Sequence, residues 1–269
     1  GVQHMRHTLL PEHKFIKGQP DTGVELADDL ELIANKFEGE IAACIVEPIA
    51  GSTGILVPPK GYLNRLREIC DKHGILLIFD EVITGWGRTG SPFAAQEFNV
   101  TPDIMTLAKA TTNGVVPMGV VAVRDRIYDT VMDSAPEGAI ELFHGYTYSG
   151  IPSAVAAALA VQDIFEKDNI FNKVKEISPY FQKALHSLRD LECVENIRGY
   201  GLLGGVDIKK KDKPGKAGFN VYKTCYENGV NLKATGDALV LAPPFISEKK
   251  HIDEIFDKIK KSINQYMKQ

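Results

Sequence analysis

Apolar and polar positions follow two rhythms along this chain, and the changes of rhythm outline its elements. "ELADDLELIANKFE" (25–38) spaces its apolar residues for one face of an amphipathic helix. "IAACIV" (Ile41–Val46) is a short apolar run that stops at Glu47-Pro48, a strand ending on a carboxylate. "GSTGILVPPKG" (Gly51–Gly61) is a loop by its Gly and Pro content. "YLNRLREICDKHG" returns to helical spacing, with apolar residues at 62, 63, 66, 69 and 70 and Gly74 as the C-cap. "ILLIF" (Ile75–Phe79) reads as a buried strand that ends at Asp80-Glu81. After a glycine-rich stretch come two more strands, within "DIMTLAK" (Asp103–Lys109) and "GVVAVR" (Gly119–Arg124). Apolar strands alternating with helix predict an α/β fold with a largely parallel sheet under helical cover. Ligands of such sheets sit beyond the carboxyl ends of the strands. Glu47, Asp80 and Lys109 all fall there and should line one rim.

The pattern changes after the Ala-rich helix "GIPSAVAAALAVQDIFEKDN" (Gly150–Asn169). Helical spacing near Val174–Leu188, Ala217–Asn228 and Glu248–Tyr266 brackets short strands at Val194–Arg198, Leu202–Ile208, Val230–Lys233 and Ala238–Leu241. That is a smaller α+β unit. The expected division is a sheet domain over 1–150, a connecting helix over 151–169 and a small domain over 170–269.

Composition narrows the chemistry. A net charge of −4 argues against electrostatic capture of nucleic acid or an anionic membrane. The basic cluster "KKKDKPGKAG" (Lys209–Gly218) reads as a solvated loop. No apolar run approaches the length of a membrane span, and "GVQHMRHTLL" has no signal-peptide core. Cys44, Cys70, Cys193 and Cys225 form no C-x-x-C pair, so buried, reduced thiols of a cytoplasmic protein are expected. The histidines show no metal-ligand spacing, and no metal is expected.

"GWGRTG" (Gly85–Gly90) matches G-x-G-x-x-G, the pattern of a dinucleotide-phosphate loop. Its context is wrong. "DEVIT" separates the strand from the first glycine, and the next strand ends in a lysine instead of a ribose-binding acid. An acid at one strand end and a Lys at the next suits pyridoxal 5'-phosphate better. An Asp keeps a pyridine nitrogen protonated, and a partly desolvated Lys beside that ring can form a Schiff base. An Asp–Lys ion pair at a sheet rim has the same spacing, and the two readings stand about even on spacing alone.

Longer motifs carry a resemblance. "LLIFDEVITGWGRTG", "TPDIMTLAKATTNGVVPMG" and "HGYTYSGIPSAVAAALA", in that order, resemble class III aminotransferases of the pyridoxal-phosphate fold type I superfamily. "VEPIAGSTGILVPPKGYLNRLREICDKHGILLIFDEV" looks closest to members that move amino groups between ω-amino acids, such as β-alanine, and pyruvate. The resemblance implies that Asp80 binds the pyridinium nitrogen and Val82 packs on the ring. Lys109 would be the Schiff-base lysine and proton shuttle of a ping-pong reaction. Thr147 would reach the cofactor phosphate of a neighbouring subunit, which implies a homodimer or larger assembly. Decarboxylating transaminases, racemases and aminomutases share these motifs and are the alternative.

Two departures qualify the resemblance. The family holds the substrate carboxylate with an Arg in R-x-x-G-D, where this chain has "LKATGD" and Lys233. Lys lacks the bidentate fork, so a weaker grip is expected, with Lys233 paired to the rim residue Glu47 when no carboxylate is bound. The family's N-terminal portion, with its phosphate-gripping Gly-Ser segment, also has no counterpart here. The chain is therefore expected to be a C-terminal part that alone binds cofactor poorly and is inactive.

Overall fold

The computed structural model describes residues 1–144, 147–210 and 213–268. Two four-stranded sheets organise it. The first runs β1 (Ala43–Val46), β2 (Leu76–Asp80), β3 (Ile104–Leu107), β4 (Val120–Val123), in that spatial order. β1, β2 and β3 are parallel and β4 is antiparallel. Helices α1 (Asp28–Lys36) and α2 (Tyr62–His73) cover one face. Leu66, Ile69 and Cys70 of α2 close over Leu77 and Phe79 of β2, all buried. Gly74 ends α2 in the left-handed region at φ 66°, the conformation glycine adopts without a Cβ penalty.

β2 alternates buried and half-buried positions, and Ile45 of β1 is 62% exposed on the edge strand. Two helices lie outside the sequence reading: the four-residue α3 (Ala94–Glu97) and α4 (Asp125–Asp133). α4 spaces Ile127, Tyr128, Val131 and Met132 along one face, although it buries no residue.

The second sheet is antiparallel throughout, in the order β5 (Val194–Tyr200), β6 (Leu203–Ile208), β8 (Ala238–Leu241), β7 (Lys233–Thr235). The long helices α5 (Pro152–Lys167) and α6 (Ile170–His186), with α7 (Lys216–Glu227) and α8 (Lys249–Met267), build its core around Phe181, Val206, Val221, Phe256 and Ile259. The strand expected at Val230–Lys233 lies further on. Val230 instead donates its N–H to Cys225 O and closes α7, after a left-handed Gly229 at φ 82°.

Candidate active site

The parallel register brings the three rim positions to one end of the sheet. Val46 lies opposite Phe79, so Glu47 and Asp80 leave adjacent strands side by side. Asp80 lies opposite Thr106, and Lys109 follows three residues on, just past the end of β3. Asp80 is half-buried and accepts the Val82 N–H at 3.0 Å through one carboxylate oxygen. Its other oxygen has no partner among the described residues. Among the described residues the partner of the Asp80 carboxylate is the Val82 N–H and not Lys109, so the ion-pair reading of that spacing does not hold.

Lys109 opens a short 3-10 turn, Lys109–Thr111, at φ 44°. That left-handed conformation is uncommon for a residue with a Cβ. Lys109 lines a cleft of about 1140 Å³ between the two sheets, with Ser52, Val82, Ile83, Lys233 and Phe245 among the other walls. The charged residues lining it are Arg88, Lys109 and Lys233, with no Asp or Glu among the described residues. An apolar cleft charged in this way draws anions.

The structure separates Glu47 from Lys233. Glu47 borders a second cleft of about 520 Å³ along β1, and its carboxylate accepts the Gly51 N–H at 2.9 Å. The expected Glu47–Lys233 ion pair is absent among the described residues; the Glu47 carboxylate holds a tight turn of its own chain instead. Lys233 begins β7, exposed. Thr147 is exposed in a turn and borders neither cleft. Gly145 and Tyr146 of its motif lie outside the described residues.

The glycine stretch is no phosphate cradle. Gly85 and Gly90 close successive turns onto Glu81 O and Gly87 O, and the next helix, α3, starts only at Ala94. Its N-terminus is already filled by the fully buried Glu81, which accepts the Ala94 and Ala95 N–H groups at 2.6 and 2.8 Å. Burial raises the Glu81 carboxyl pKa, and those N–H bonds partly offset it. The stretch joins the two sheets instead. Leu202 donates its N–H to Arg88 O at 3.0 Å, and a Cβ on Gly201 would lie 2.4 Å from that same oxygen. The Arg88 guanidinium donates to Pro243 O at 2.5 Å and sits 4.2 Å over the Phe245 ring. Burial pulls its pKa down to about 10, so it remains charged at neutral pH. From the other side, Arg198 donates to Gly54 O at 2.8 Å while Asp207 clasps its two terminal nitrogens. Glu81, Trp86 and Arg198 escape sequence reading, although a lone Trp set among glycines is a visible irregularity.

The profile of the family "Aminotransferase class-III" matches residues 2–263. An omega-aminotransferase of Caulobacter vibrioides is 50% identical over 98% of this chain and 61% of that protein. An omega-amino acid–pyruvate aminotransferase of Pseudomonas putida is 45% identical over 99% of this chain and 60% of its own length. The omega transaminase of Pseudomonas jessenii, solved in complex with PMP, superposes with a TM-score of 0.86 at 30% identity, over 93% of this chain and 57% of that one. The chain thus spans about three fifths of the length of these relatives. Its fold is that of the fold type I transaminases, and the chain belongs to the class-III aminotransferases.

Proposed function

We propose that the protein carrying this chain exchanges amino groups between an ω-amino acid or amine, such as β-alanine, and pyruvate. Pyridoxal 5'-phosphate is its cofactor, and it works as a homodimer or larger homo-oligomer. The observation that carries the reading is Lys109. Lys109 lines an acid-free cleft from a strained backbone, one strand away from a carboxylate with a free oxygen. Strain of that kind clusters at functional sites. The relatives named for omega-amino acid and pyruvate transfer support the substrate pair.

The residues present suit the cofactor. Its ring nitrogen needs an anion, and Asp80, which does not itself line the cleft, has an unused oxygen two residues before Val82, which does. Its ring face needs an apolar wall, and Val82 lines the cleft. Bound there, the group would supply an aldehyde that takes up the amino group and a ring that accepts electron density. Asp80 would hold a proton on the ring nitrogen, because a nearby anion favours the charged form. The Lys109 Nζ would hold the resting group, then carry the proton between the substrate's amino-bearing carbon and the carbon of the group's aldehyde. Lys233 would hold the carboxylate of β-alanine or pyruvate as a point charge. We also assign 1–150 to the cofactor-binding domain, 151–169 to a connecting helix and 170–269 to the small domain, with Thr147 facing a neighbouring subunit.

The test is amino transfer from β-alanine to pyruvate by the intact protein. The wild type should form alanine, and Lys109→Ala should lose at least ~10⁴-fold in kcat, as expected when a covalent and proton-transfer group is removed. Undiminished transfer by Lys109→Ala would refute the reading.

A further inference from the structure

Lys109 is one of several left-handed non-glycine residues around the cleft, with Ile55, Trp86 and Asn113, and a short hydrogen-bonded relay joins it to Trp86. Trp86 stands at φ 61° in the glycine stretch. Its indole N–H reaches Thr111 Oγ1 at 2.9 Å, across 25 residues of chain. Thr111 Oγ1 in turn lies 3.0 Å from Ala108 O. The direction of the relay is fixed by chemistry. An indole nitrogen only donates, so the hydroxyl must accept there, and its single hydrogen is left for the Ala108 carbonyl. That carbonyl shares a peptide plane with the Lys109 N–H. The Thr111 backbone N–H donates to the same carbonyl at 3.0 Å. Thr111 is 2% exposed, so water cannot replace the bonds.

The other end of the relay is anchored in packing. The Trp86 ring meets Phe93 edge-on at a 5.3 Å centroid distance, and Phe165 of α5 at 6.2 Å. The ring therefore bridges the residue that precedes α3 and helix α5, which leads to the second sheet.

We infer that Trp86 and Thr111 are positioning residues. Together they orient the 108–109 peptide plane so that Lys109 stays left-handed and aims its amine into the cleft. This inference rests on the proposed function. Neither residue touches substrate; both act through the Lys109 backbone.

The test uses the intact, cofactor-loaded protein. Borohydride reduction and peptide mass mapping first locate the lysine that holds the cofactor. Trp86→Phe, Thr111→Val, Thr111→Ser and the double variant Trp86→Phe/Thr111→Val are then compared with wild type. Removing one neutral hydrogen bond from the relay should lower kcat roughly 3- to 10-fold. KM for β-alanine should stay within about twofold, since no substrate contact is lost. The pH midpoint of the bound cofactor's visible band should move by about half a unit, the signature of a displaced amine. Thr111→Ser should recover most of the rate. The double variant should be no slower than the slower single variant, as expected of one shared device. Label on Lys109 with an unmoved rate and pH midpoint in Thr111→Val would overturn this inference alone. So would additive losses in the double variant, or losses that only follow the melting temperature. Label on another lysine would overturn the functional reading and this inference with it.

Discussion

A lysine held left-handed carries a standing cost of about 1–3 kcal/mol, and such residues persist only where their surroundings over-determine them. Lys109 fits that description at φ 44° beside the half-buried Asp80. Asp80 leads to a first expectation. Asp80→Asn keeps the shape but removes the anion that favours a protonated ring nitrogen. It should cost roughly 10²-fold or more in kcat, within the range of lost electrostatic stabilisation, while Lys109 still takes the borohydride label; an unchanged kcat would remove Asp80 from its role. Lys233 leads to a second. Losing a charge-assisted hydrogen bond costs about 1.5–3 kcal/mol, so Lys233→Ala should raise KM for β-alanine and pyruvate about tenfold or more. An amine donor without a carboxylate should keep its KM; unchanged constants for all three would place Lys233 outside the substrate site. Asp80 and Lys109 are legible in the sequence because a strand end is a local event. The Trp86–Thr111 contact is not, because it joins two loops 25 residues apart. The Glu47–Lys233 pairing fails for a similar reason. Charge complementarity was visible, but the turn that occupies Glu47 was not.

Between elements, the glycine stretch is a seam. Arg88 reaches the second sheet from the first, and Arg198 reaches back. Arg88→Met leaves the Pro243 carbonyl without its donor and removes the cation over Phe245. The expected loss is about 1–3 kcal/mol of stability, combining an unsatisfied buried acceptor with a lost cation–π contact. A urea-melting midpoint indistinguishable from wild type would contradict that role. Element types were largely legible because apolar periodicity survives wherever one face is buried. The α2 boundaries follow the sequence reading, with Gly74 as its cap. α4 is legible in the spacing of Ile127, Tyr128, Val131 and Met132 but lies outside the sequence reading, and β7 is displaced because Val230 serves the end of α7 before the strand begins.

For the whole molecule, two buried groups contribute to the response to acid in separate pH windows. His186 is buried beside Lys17 and Arg189, with an unpartnered Nε2. Burial, then those two cations, push its pKa down to about 4 from an ordinary 6.5. The unfolded chain therefore binds this proton first, and stability present above pH 6.5 is lost as pH falls towards 4. Asp103 follows at lower pH. Burial opposes its ionisation, but the Leu77 N–H and the Arg67 and Arg126 guanidiniums outweigh it and hold the carboxyl down to about 2. Its contribution is present above the ordinary 3.8 and lost as pH falls from there towards 2. His186→Leu should flatten the urea-midpoint profile between pH 6.5 and 4 and leave the lower limb intact; an unflattened upper limb would contradict this assignment. At this scale the two-sheet division was legible from the change of rhythm after α5.

The central claim is that Lys109 is the amine that holds the cofactor. Borohydride reduction of the intact, cofactor-loaded protein followed by peptide mass mapping tests it directly. The account predicts a single pyridoxyl-phosphate adduct on Lys109, within "TLAKATTNG". An adduct on any other lysine, or none, would contradict it.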